Sequence, residues 1–403
     1  MHSDRLRRRA KGLFSKIRAA VFWCDHCNLP LLTRTCGICR GYGRPLKITP
    51  PADVRPALGE DYVQLWQLIR KELCGSQPYP VRRIVLLNKI PYPDAADEVI
   101  LDGYVIGHRY FDLREREWRF RPLYVGVSEI LRRKASYYSI VDLEHLVRNY
   151  EIHKSKIIEA CLPAEKGRYV AIATRTGFEG LGITTDRGRI RVLKSWKRKF
   201  YAWNKSNPTW YDAVRANESR LKLLEEEAVN YLIELAQKTG LRPVVSFSGG
   251  KDSLVAYRLA EKAFGSVPIL FNDTGLELPE TVEYVKRFAE NKGVKLLTAG
   301  ADQLFWSSLQ VMGPPARDYR WCCKVCKLVP IARAFKDHFS EGALSIVGQR
   351  KFESLARAMS PRTYKNRWIP NVVVASPIHD WSQLEVWLYI FKEKLPINKL
   401  YFK

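Results

Sequence analysis

The sequence predicts a multidomain α/β protein in which a metal-binding ribbon and a small β-barrel precede a C-terminal domain built on a parallel sheet. Three observations support this fold class. The chain has 403 residues, which is enough for roughly two to four domains. Four cysteines lie close together near the N-terminus. A short apolar strand at residues 242–247 runs through a glycine turn into a helix, which is a unit of α/β domains.

The composition favours a soluble cytoplasmic protein that binds a polyanion. The formal net charge of +25 creates a field that attracts nucleic acid, although small anionic metabolites or a basic proteome would also explain it. Seven of the nine cysteines fall in two tight groups, which indicates a reducing compartment rather than a disulfide framework. No stretch is long and apolar enough to suggest a membrane span. The basic segment at residues 5–11 precedes a stretch interrupted by Lys16 and Arg18, so secretion is not expected.

The first predicted domain is a zinc ribbon at residues 20–48. Two Cys-x-x-Cys pairs, Cys24 with Cys27 and Cys36 with Cys39, are separated by eight residues. Two such pairs can fold over one another and supply four thiolates to a tetrahedral Zn²⁺. A redox dithiol is the alternative, but it does not explain why there are two pairs. Because four sulfurs close the site, we expect it to support folding and partner contact rather than catalysis.

The next predicted domain is a small α+β module at residues 49–128. A helical pattern covers residues 61–73, and apolar runs at residues 84–87, 98–101 and 123–127 are typical of strands. Nothing in this module carries recognisable chemistry.

Residues 129–200 have the pattern of a second β-rich domain. A helix is predicted at residues 153–161, and two strands flank a glycine-rich turn at residues 177–182. This arrangement resembles a PUA domain, a small β-barrel that many RNA-modifying enzymes carry as an RNA-binding module. The basic run at residues 187–199, with aromatic residues interleaved, suits phosphate contacts and base stacking. The alternative is a solvated basic strand edge that prevents sheet pairing.

A linker helix is predicted within residues 201–240. It has one apolar stripe and ends at Gly240. The stripe consists of Leu221, Leu224, Ala228, Leu232 and Leu235.

The loop at residues 248–253, in the last predicted domain at residues 241–403, carries the main candidate site. It reads Ser-Gly-Gly-Lys-Asp-Ser and joins the strand at residues 242–247 to the next helix. Backbone amides and the positive end of a helix converge there, so a phosphate can bind. The two glycines open the backbone, Lys251 adds a cation and the serines offer hydroxyl groups. Asp252 would repel a phosphate, so we expect it to brace the loop or to hold Mg²⁺.

This loop is not a Walker sequence, because the Gly-x-x-x-x-Gly-Lys spacing is absent. It resembles the PP-loop of the ATP pyrophosphatase superfamily. Further stretches of residues 241–403 resemble the phosphoadenosine phosphosulfate (PAPS) reductase family. They are Asp273-Thr274-Gly275, the arginine loop at residues 348–358, and closing segments at residues 376–381 and 395–401.

The resemblance implies an adenine nucleotide such as ATP, with Mg²⁺, as cofactor. Arg350 and Arg357 would clamp phosphate or sulfate oxygens; surface arginines on a helix are the alternative. Lys251 is predicted to act in catalysis. The residues predicted to bind the nucleotide are Ser246, Ser248, Gly249, Gly250, Lys251, Asp252, Ser253, Asp273, Thr274, Gly275, Arg350 and Arg357.

The second cysteine group, Cys322, Cys323 and Cys326, is the other predicted catalytic element. Adjacent cysteines favour an iron–sulfur cluster, such as [4Fe-4S], over zinc. Their position resembles the Cys-Cys pair of cluster-bearing adenylylsulfate reductases, whose partner Cys-x-x-Cys would fall after Lys403. We therefore expect the chain to be truncated at its C-terminus.

Other roles for this cysteine group stay open. Three thiolates alone would leave one iron free to hold hydrosulfide, and thiols beside Lys324 and Lys327 could carry a persulfide. A second zinc knuckle or simple burial are the remaining alternatives.

Three functions are compatible with these elements. The first is an ATP-dependent RNA sulfurtransferase, with tRNA as the expected partner, that adenylates a base and replaces oxygen by sulfur from a sulfur donor. The second is a PAPS or adenylylsulfate reductase of sulfate assimilation, which needs a reductant. The third is a non-catalytic nucleic-acid-binding protein. The sequence does not define an oligomeric state.

Overall fold

The structure is a computed structural model that describes residues 18–316 and 318–402. The basic segment at residues 5–11, together with Lys16, lies outside the described residues. Two compact units are present, one at residues 18–217 and one that begins at Glu218. The boundary falls inside the segment predicted as a linker helix, because one short helix ends at Ala216 and a long one starts at Glu218.

The first unit begins with a small antiparallel sheet that carries the cysteine knuckles. Its strand order is β2-β1-β3. The strands are β1 (Phe22–Cys24), β2 (Leu29–Leu31) and β3 (Arg44–Pro45). The Trp23 indole is buried and donates through Nε1 to Asn28 Oδ1 at 3.0 Å. A Cβ built on Gly103 would lie 2.5 Å from Trp23, so the ribbon packs closely against the rest of the first unit.

A five-stranded antiparallel sheet follows, in the order β4-β5-β6-β7-β8. Helix α1 (Gly59–Glu72) packs on it through buried Leu65 and Ile69. The strands are β4 (Arg55–Pro56), β5 (Leu86–Lys89), β6 (Ala96–Leu101), β7 (Tyr104–Asp112) and β8 (Glu117–Pro122).

The strand predicted at residues 123–127 is wrong, because helix α2 (Val125–Arg133) begins there. Val127 and Ile130 are both buried, three residues apart in this helix, and so lie on one face of it. The helix passes close to β7: a Cβ built on Gly126 would lie 1.8 Å from the Ile106 carbonyl oxygen. The glycine therefore allows the helix to approach the strand.

The third sheet of this unit has six strands in the order β10-β14-β13-β12-β9-β11. All neighbours are antiparallel except β9 and β12. The strands are β9 (Tyr138–Val141), β10 (Glu151–Ile152), β11 (Ile157–Cys161), β12 (Tyr169–Thr174), β13 (Phe178–Thr184) and β14 (Ile190–Lys197). The PUA-like barrel stays a prediction, since β10 and β11 are the two ends of this pairing order.

The helix predicted at residues 153–161 is wrong. Only Lys154–Lys156 form a 3₁₀ turn, and the chain then continues as β11, which pairs with β9 through a bulge. Two consecutive isoleucines, Ile157 and Ile158, favour the extended backbone of a strand. The unit ends with helix α3 (Trp210–Ala216), which Thr209 and Asp212 start with a reciprocal capping box.

The second unit is an α/β domain around a mostly parallel sheet, in the order β17-β16-β15-β18-β20-β19. Only β19 is antiparallel to its neighbour. The strands are β15 (Arg242–Ser246), β16 (Ile269–Asp273), β17 (Leu296–Gly300), β18 (Ala343–Val347), β19 (Thr363–Lys365) and β20 (Val372–Ala375). The predicted multidomain α/β fold class is confirmed.

Seven helices are described in this unit. They are α4 (Glu218–Thr239), α5 (Lys251–Phe264), α6 (Pro279–Lys292), α7 (Leu304–Met312), α8 (Val329–His338), α9 (Leu355–Met359) and α10 (Gln383–Glu393). Helix α8 packs on the sheet through Phe335, and α5 follows β15 directly. Within the described residues, none of the helices has the length and apolar character needed to span a bilayer.

The strand order defines where a ligand can bind in this domain. From β15 the chain moves through β16 to β17 on one side, and it then returns to place β18 on the other side of β15. In parallel sheets, ligands bind at the carboxyl ends of the strands where the order reverses. The loops that follow β15 and β18 meet at this point.

Candidate functional site

The loop at residues 248–253 connects the buried strand β15 to helix α5 and is closed by its two serines. Ser253 Oγ donates to the Gly250 carbonyl at 2.9 Å and lies 3.2 Å from Ser248 Oγ. The Ser248 amide donates to Ser253 Oγ at 3.3 Å. Gly249 has a positive φ of 74°, which a residue with a side chain rarely adopts. These contacts hold the loop in one shape ahead of the helix.

Helix α5 starts at Lys251 with Gly250 as its N-cap, and no side chain caps it. The first amides of a helix need acceptors from outside the helix and carry its positive dipole end. Here the Lys251 amide donates to the Tyr401 hydroxyl at 3.1 Å. The helix start therefore offers the polarity that a phosphate group requires.

The Asp252 carboxylate forms ion pairs with two cationic side chains and is not directed at a ligand. Its Oδ2 accepts from Lys251 Nζ at 2.6 Å, and its Oδ1 accepts from Arg350 Nε at 2.9 Å. Of the two roles predicted for Asp252, this geometry favours bracing of the loop. The Mg²⁺ requirement stays a prediction.

The Arg350 side chain is buried beside the loop. It is 2% exposed, and its Nη1 donates to the Trp381 carbonyl at 3.3 Å. The contacts with Asp252 and Trp381 use the Nε and Nη1 groups of a guanidinium that has five N–H donors in all. Arg350 therefore braces the loop, and its predicted role as a substrate clamp stays a prediction.

Gly348, at the end of β18, allows the close approach that this ion pair needs. A Cβ at Gly348 would lie 2.4 Å from the Asp252 carbonyl carbon and 2.5 Å from the Ser253 amide nitrogen. The backbones after β15 and β18 are thus in contact. Sequence reasoning missed this glycine because nothing in its own neighbourhood marks the approach.

Arg357 keeps the character of a substrate-binding arginine. It lies on the short helix α9, its side chain is 41% exposed, and its Nε is 3.7 Å from Glu353 Oε2. Such an exposed ion pair contributes little to the stability of the fold, so Arg357 can leave Glu353 and bind a ligand instead. The predicted role of Arg357 as a clamp stays a prediction.

The Asp273-Thr274-Gly275 segment forms a tight turn at the end of β16, next to β15. Asp273 Oδ1 accepts from the Gly275 amide at 3.0 Å, and Thr274 Oγ1 donates to Glu277 Oε1 at 2.8 Å. Gly275 has a φ of 75° and passes close to Asp302. The turn therefore places its polar groups at the same edge of the sheet as the loop at residues 248–253.

The second cysteine group is anchored at this edge too. Asn272 Nδ2 donates to the Ala299 carbonyl at 2.9 Å and to the Cys326 carbonyl at 3.2 Å, which ties the cysteine segment to β16 and β17. A π-helical turn at Cys323–Leu328 leads into α8, and Trp321 stacks on Phe305 at 5.5 Å.

The three thiols of this group do not form a compact site for a single metal ion. Cys326 is buried, whereas Cys322 and Cys323 are half-buried. Burial raises the pKa of the Cys326 thiol, which is the opposite of an activated thiolate. In the part of the chain that the structure describes, only the N-terminal cysteines bring three or more ligand atoms within 4.8 Å of one another. A [4Fe-4S] cluster holds its cysteine sulfurs further apart than a single metal ion does, so the predicted iron–sulfur ligation stays a prediction.

The N-terminal cysteines do form a candidate metal centre. The Sγ atoms of Cys24, Cys27, Cys36 and Cys39 all lie within 4.8 Å of one another. Cys24 Sγ is 3.5 Å from Cys39 Sγ, and Cys36 Sγ is 3.9 Å from Cys27 Sγ. A tetrahedral zinc site with Zn–S bonds of about 2.3 Å requires sulfur atoms about 3.8 Å apart. The four thiols therefore fit a closed structural metal site, and zinc as the metal stays a prediction.

The surroundings shift the pKa values of the thiols in this centre in opposite directions. A hydrogen bond from the Gly41 backbone lowers the pKa of the Cys39 thiol to about 7. Burial raises the pKa of the Cys24 thiol to about 11, so this thiol ionises only when a cation compensates it.

The sequence is similar to those of several known proteins. A profile of the phosphoadenosine phosphosulfate reductase domain matches residues 242–403. An uncharacterized protein of Methanocaldococcus jannaschii is 34% identical over 405 residues, with 94% of this chain and 84% of that protein covered. Residues 242–403 belong to the phosphoadenosine phosphosulfate reductase domain family.

Further matches cover less than half of this chain. Sulfate adenylyltransferase subunit 2 of a Mycobacterium species (strain KMS) is 28% identical over 210 residues, which cover 46% of this chain and 65% of that protein. Among solved structures, the PAPS reductase from Candida auris in its phosphate complex has a TM-score of 0.34 and 18% identity, covering 46% of this chain and 90% of that one.

Proposed function

We propose that this protein is an ATP-dependent RNA sulfurtransferase that adenylates a base, with tRNA as its substrate. The observation that carries the proposal is the complete Ser248–Ser253 loop at the point where the strand order reverses, with the cysteine segment anchored at the same edge of the sheet. A loop of this kind binds the diphosphate that leaves when ATP is cleaved between its α and β phosphates.

The first step is adenylyl transfer. A carbonyl oxygen of the base attacks the α-phosphorus, the bond to the β-phosphate oxygen breaks, and pyrophosphate leaves. The Lys251 amide at the start of α5 and the Lys251 ammonium provide positive charge where the pyrophosphate charge develops. The name of the sulfate adenylyltransferase relatives describes the same transfer to a different acceptor.

The second step replaces the adenylated oxygen. A sulfur nucleophile from an external donor attacks the base carbon, a C–S bond forms, the C–O bond breaks and AMP leaves. Cys322 and Cys323 are half-buried, so either can accept the outer sulfur of a persulfide donor by exchange, which releases the donor's thiol. When this cysteine persulfide is the nucleophile, an external thiol reductant then cleaves the S–S bond between the cysteine and the base and releases the thiolated base. Cys326, which is buried, has a supporting position instead.

The first unit has a surface that suits RNA. Arg191, Lys194 and Lys197 are exposed on β14, and Phe200 just beyond it is 95% exposed. Lys194 Nζ also lies 4.6 Å from the centre of the Tyr124 ring. Cations beside aromatic rings bind phosphates and stack on bases, and the net charge of +25 has the matching sign.

A sulfonucleotide reductase is the second candidate. It is favoured by the match of residues 242–403 to the PAPS reductase domain. In that case the loop binds PAPS or adenylylsulfate, and a cysteine attacks the sulfur. The S–O bond to the phosphate breaks and the nucleotide leaves, and an external thiol reductant then supplies two electrons that release sulfite from the cysteine. Cys322 and Cys323 are the half-buried thiols at this edge.

ATP–pyrophosphate exchange on anaerobically purified protein tests the two candidates. RNA sulfurtransfer predicts that labelled pyrophosphate enters ATP only when tRNA is present, and that Lys251→Ala abolishes the exchange. Lys222→Ala is the matched control, because this lysine is 60% exposed on α4. Absence of exchange together with sulfite release from PAPS or adenylylsulfate would identify the reductase. Tight tRNA binding without either reaction would identify a non-catalytic nucleic-acid-binding protein.

A further inference from the structure

The Tyr401 hydroxyl lies directly on the phosphate-binding end of α5. The Lys251 amide donates to it at 3.1 Å, and a Cβ built on Gly250 would lie 3.5 Å from it. The oxygen thus occupies the space above the Gly250–Lys251 peptide. One amide hydrogen serves one good acceptor at a time, so a phosphate oxygen and Tyr401 Oη compete for the same donor.

Contacts on both sides hold Tyr401 in this position. The preceding segment is fastened to α6, because Tyr284 Oη donates to the Pro396 carbonyl at 2.7 Å and Asn398 Nδ2 donates to Thr281 Oγ1 at 3.3 Å. The Tyr401 ring packs edge-on against Trp387, with centroids 5.4 Å apart. The hydroxyl is therefore delivered to the loop by a defined segment, residues 396–401.

We propose that Tyr401 Oη takes the place of a phosphate oxygen on the Lys251 amide, and that a diphosphate binding at the loop displaces it and loosens residues 396–401. This inference rests on the proposed use of the loop as a diphosphate site. An anionic oxygen forms a stronger hydrogen bond with an amide than a neutral hydroxyl does. It also gains from the positive end of the helix. A diphosphate therefore wins the competition, but with an affinity reduced by the contact it replaces.

The consequence is a link between the loop and the end of the described chain. When the loop is occupied, Tyr401 loses its hydrogen bond and residues 396–401 keep only their contacts with α6 and Trp387. Tyr401 thus sets the affinity for the diphosphate and reports its presence to this segment. If instead the hydroxyl kept its place and donated its own proton to a phosphate oxygen, its removal would weaken binding.

Calorimetric titration of the full chain with inorganic pyrophosphate tests the inference. Tyr401→Phe removes the competing oxygen and keeps the ring on Trp387, so we expect pyrophosphate to bind roughly three- to tenfold more tightly. Tyr211→Phe is the control, because this tyrosine is 68% exposed on α3 in the other unit; it should bind like the wild-type protein. Thermal unfolding checks that both variants are folded.

Hydrogen exchange of residues 396–402 provides a second readout. Pyrophosphate should increase the exchange of this segment in the wild-type protein, and the segment should exchange at that higher rate in Tyr401→Phe without ligand. Unchanged or weaker pyrophosphate binding by Tyr401→Phe overturns the inference, as does the lack of binding by both proteins. An affinity gain without tRNA-dependent exchange would leave the inference standing and remove the proposed sulfurtransfer.

Discussion

Arg350 Nε donates to Asp252 Oδ1 at 2.9 Å, and this ion pair joins the loops that follow β15 and β18. The two residues are 98 positions apart in the sequence. Asp252 also accepts from Lys251, so the acid aligns two cations beside the helix start. The shape of the phosphate-binding loop therefore depends on a residue outside it.

We expect Arg350→Leu to destabilise the second unit by about 3 kcal/mol, because it leaves a largely buried carboxylate with one partner fewer. Binding of ATP should weaken as well, since Asp252 is then free to repel phosphate. Urea unfolding and ATP titration measure the two effects. Arg357→Leu is the matched control, because the exposed ion pair between Arg357 and Glu353 should contribute less than about 1 kcal/mol to the free energy of unfolding. Equal stability losses in the two variants would contradict the bracing role of Arg350.

The loop itself could be predicted from sequence because its properties are local. A short strand, two adjacent glycines and a helix start follow each other, and the positive φ of Gly249 is a requirement of that turn alone. The place of Arg350 could not be predicted in this way. Whether an arginine after β18 faces solvent or the loop after β15 depends on how closely the two backbones approach.

Secondary structure that depends on distant parts of the chain is equally hard to predict from the sequence. The stretch at residues 153–161 contains apolar residues at spacings that suit a helix, yet it forms β11 beside β9. The sequence of so short a segment does not distinguish a helix from a strand, because the neighbouring strand with which it pairs determines the structure. The four N-terminal cysteines were predictable for the opposite reason, since a metal site requires its ligands at short, fixed spacings.

Gly348→Ala should impair nucleotide binding and lower stability. The added methyl group would lie 2.4 Å from the Asp252 backbone, so the loops after β15 and β18 must separate. ATP titration and thermal unfolding should both show the loss. Gly300→Ala at the end of β17 is the control, because the closest atom to its Cβ is 3.5 Å away. A Gly348→Ala protein that binds ATP normally would show that the loops do not need this contact.

Removal of one thiol from the N-terminal centre should release the metal. Purified wild-type protein is expected to contain about one zinc ion per chain, and Cys36→Ser to contain far less, because a structural site needs all four ligands. The first unit should then unfold at a lower temperature, since metal binding stabilises the folded ribbon. Metal analysis and calorimetry measure these changes. Cys74→Ser, at an exposed cysteine, should retain both properties.

Acid should weaken the second unit through Glu393. Despite burial, hydrogen bonds from Lys262, Lys392 and Arg258 lower the pKa of this carboxyl group to about 2, from the ordinary value of 4.5. A group with a lowered pKa in the folded state stabilises the fold fully above its unfolded pKa, and the stabilisation is lost as the pH falls towards the folded pKa. The urea midpoint should therefore drop between pH 4.5 and about 2. Glu393→Gln should flatten this decline, whereas Glu227→Gln on the exposed face of α4 should leave it intact. An equally steep decline in Glu393→Gln would assign the acid sensitivity to other carboxylates.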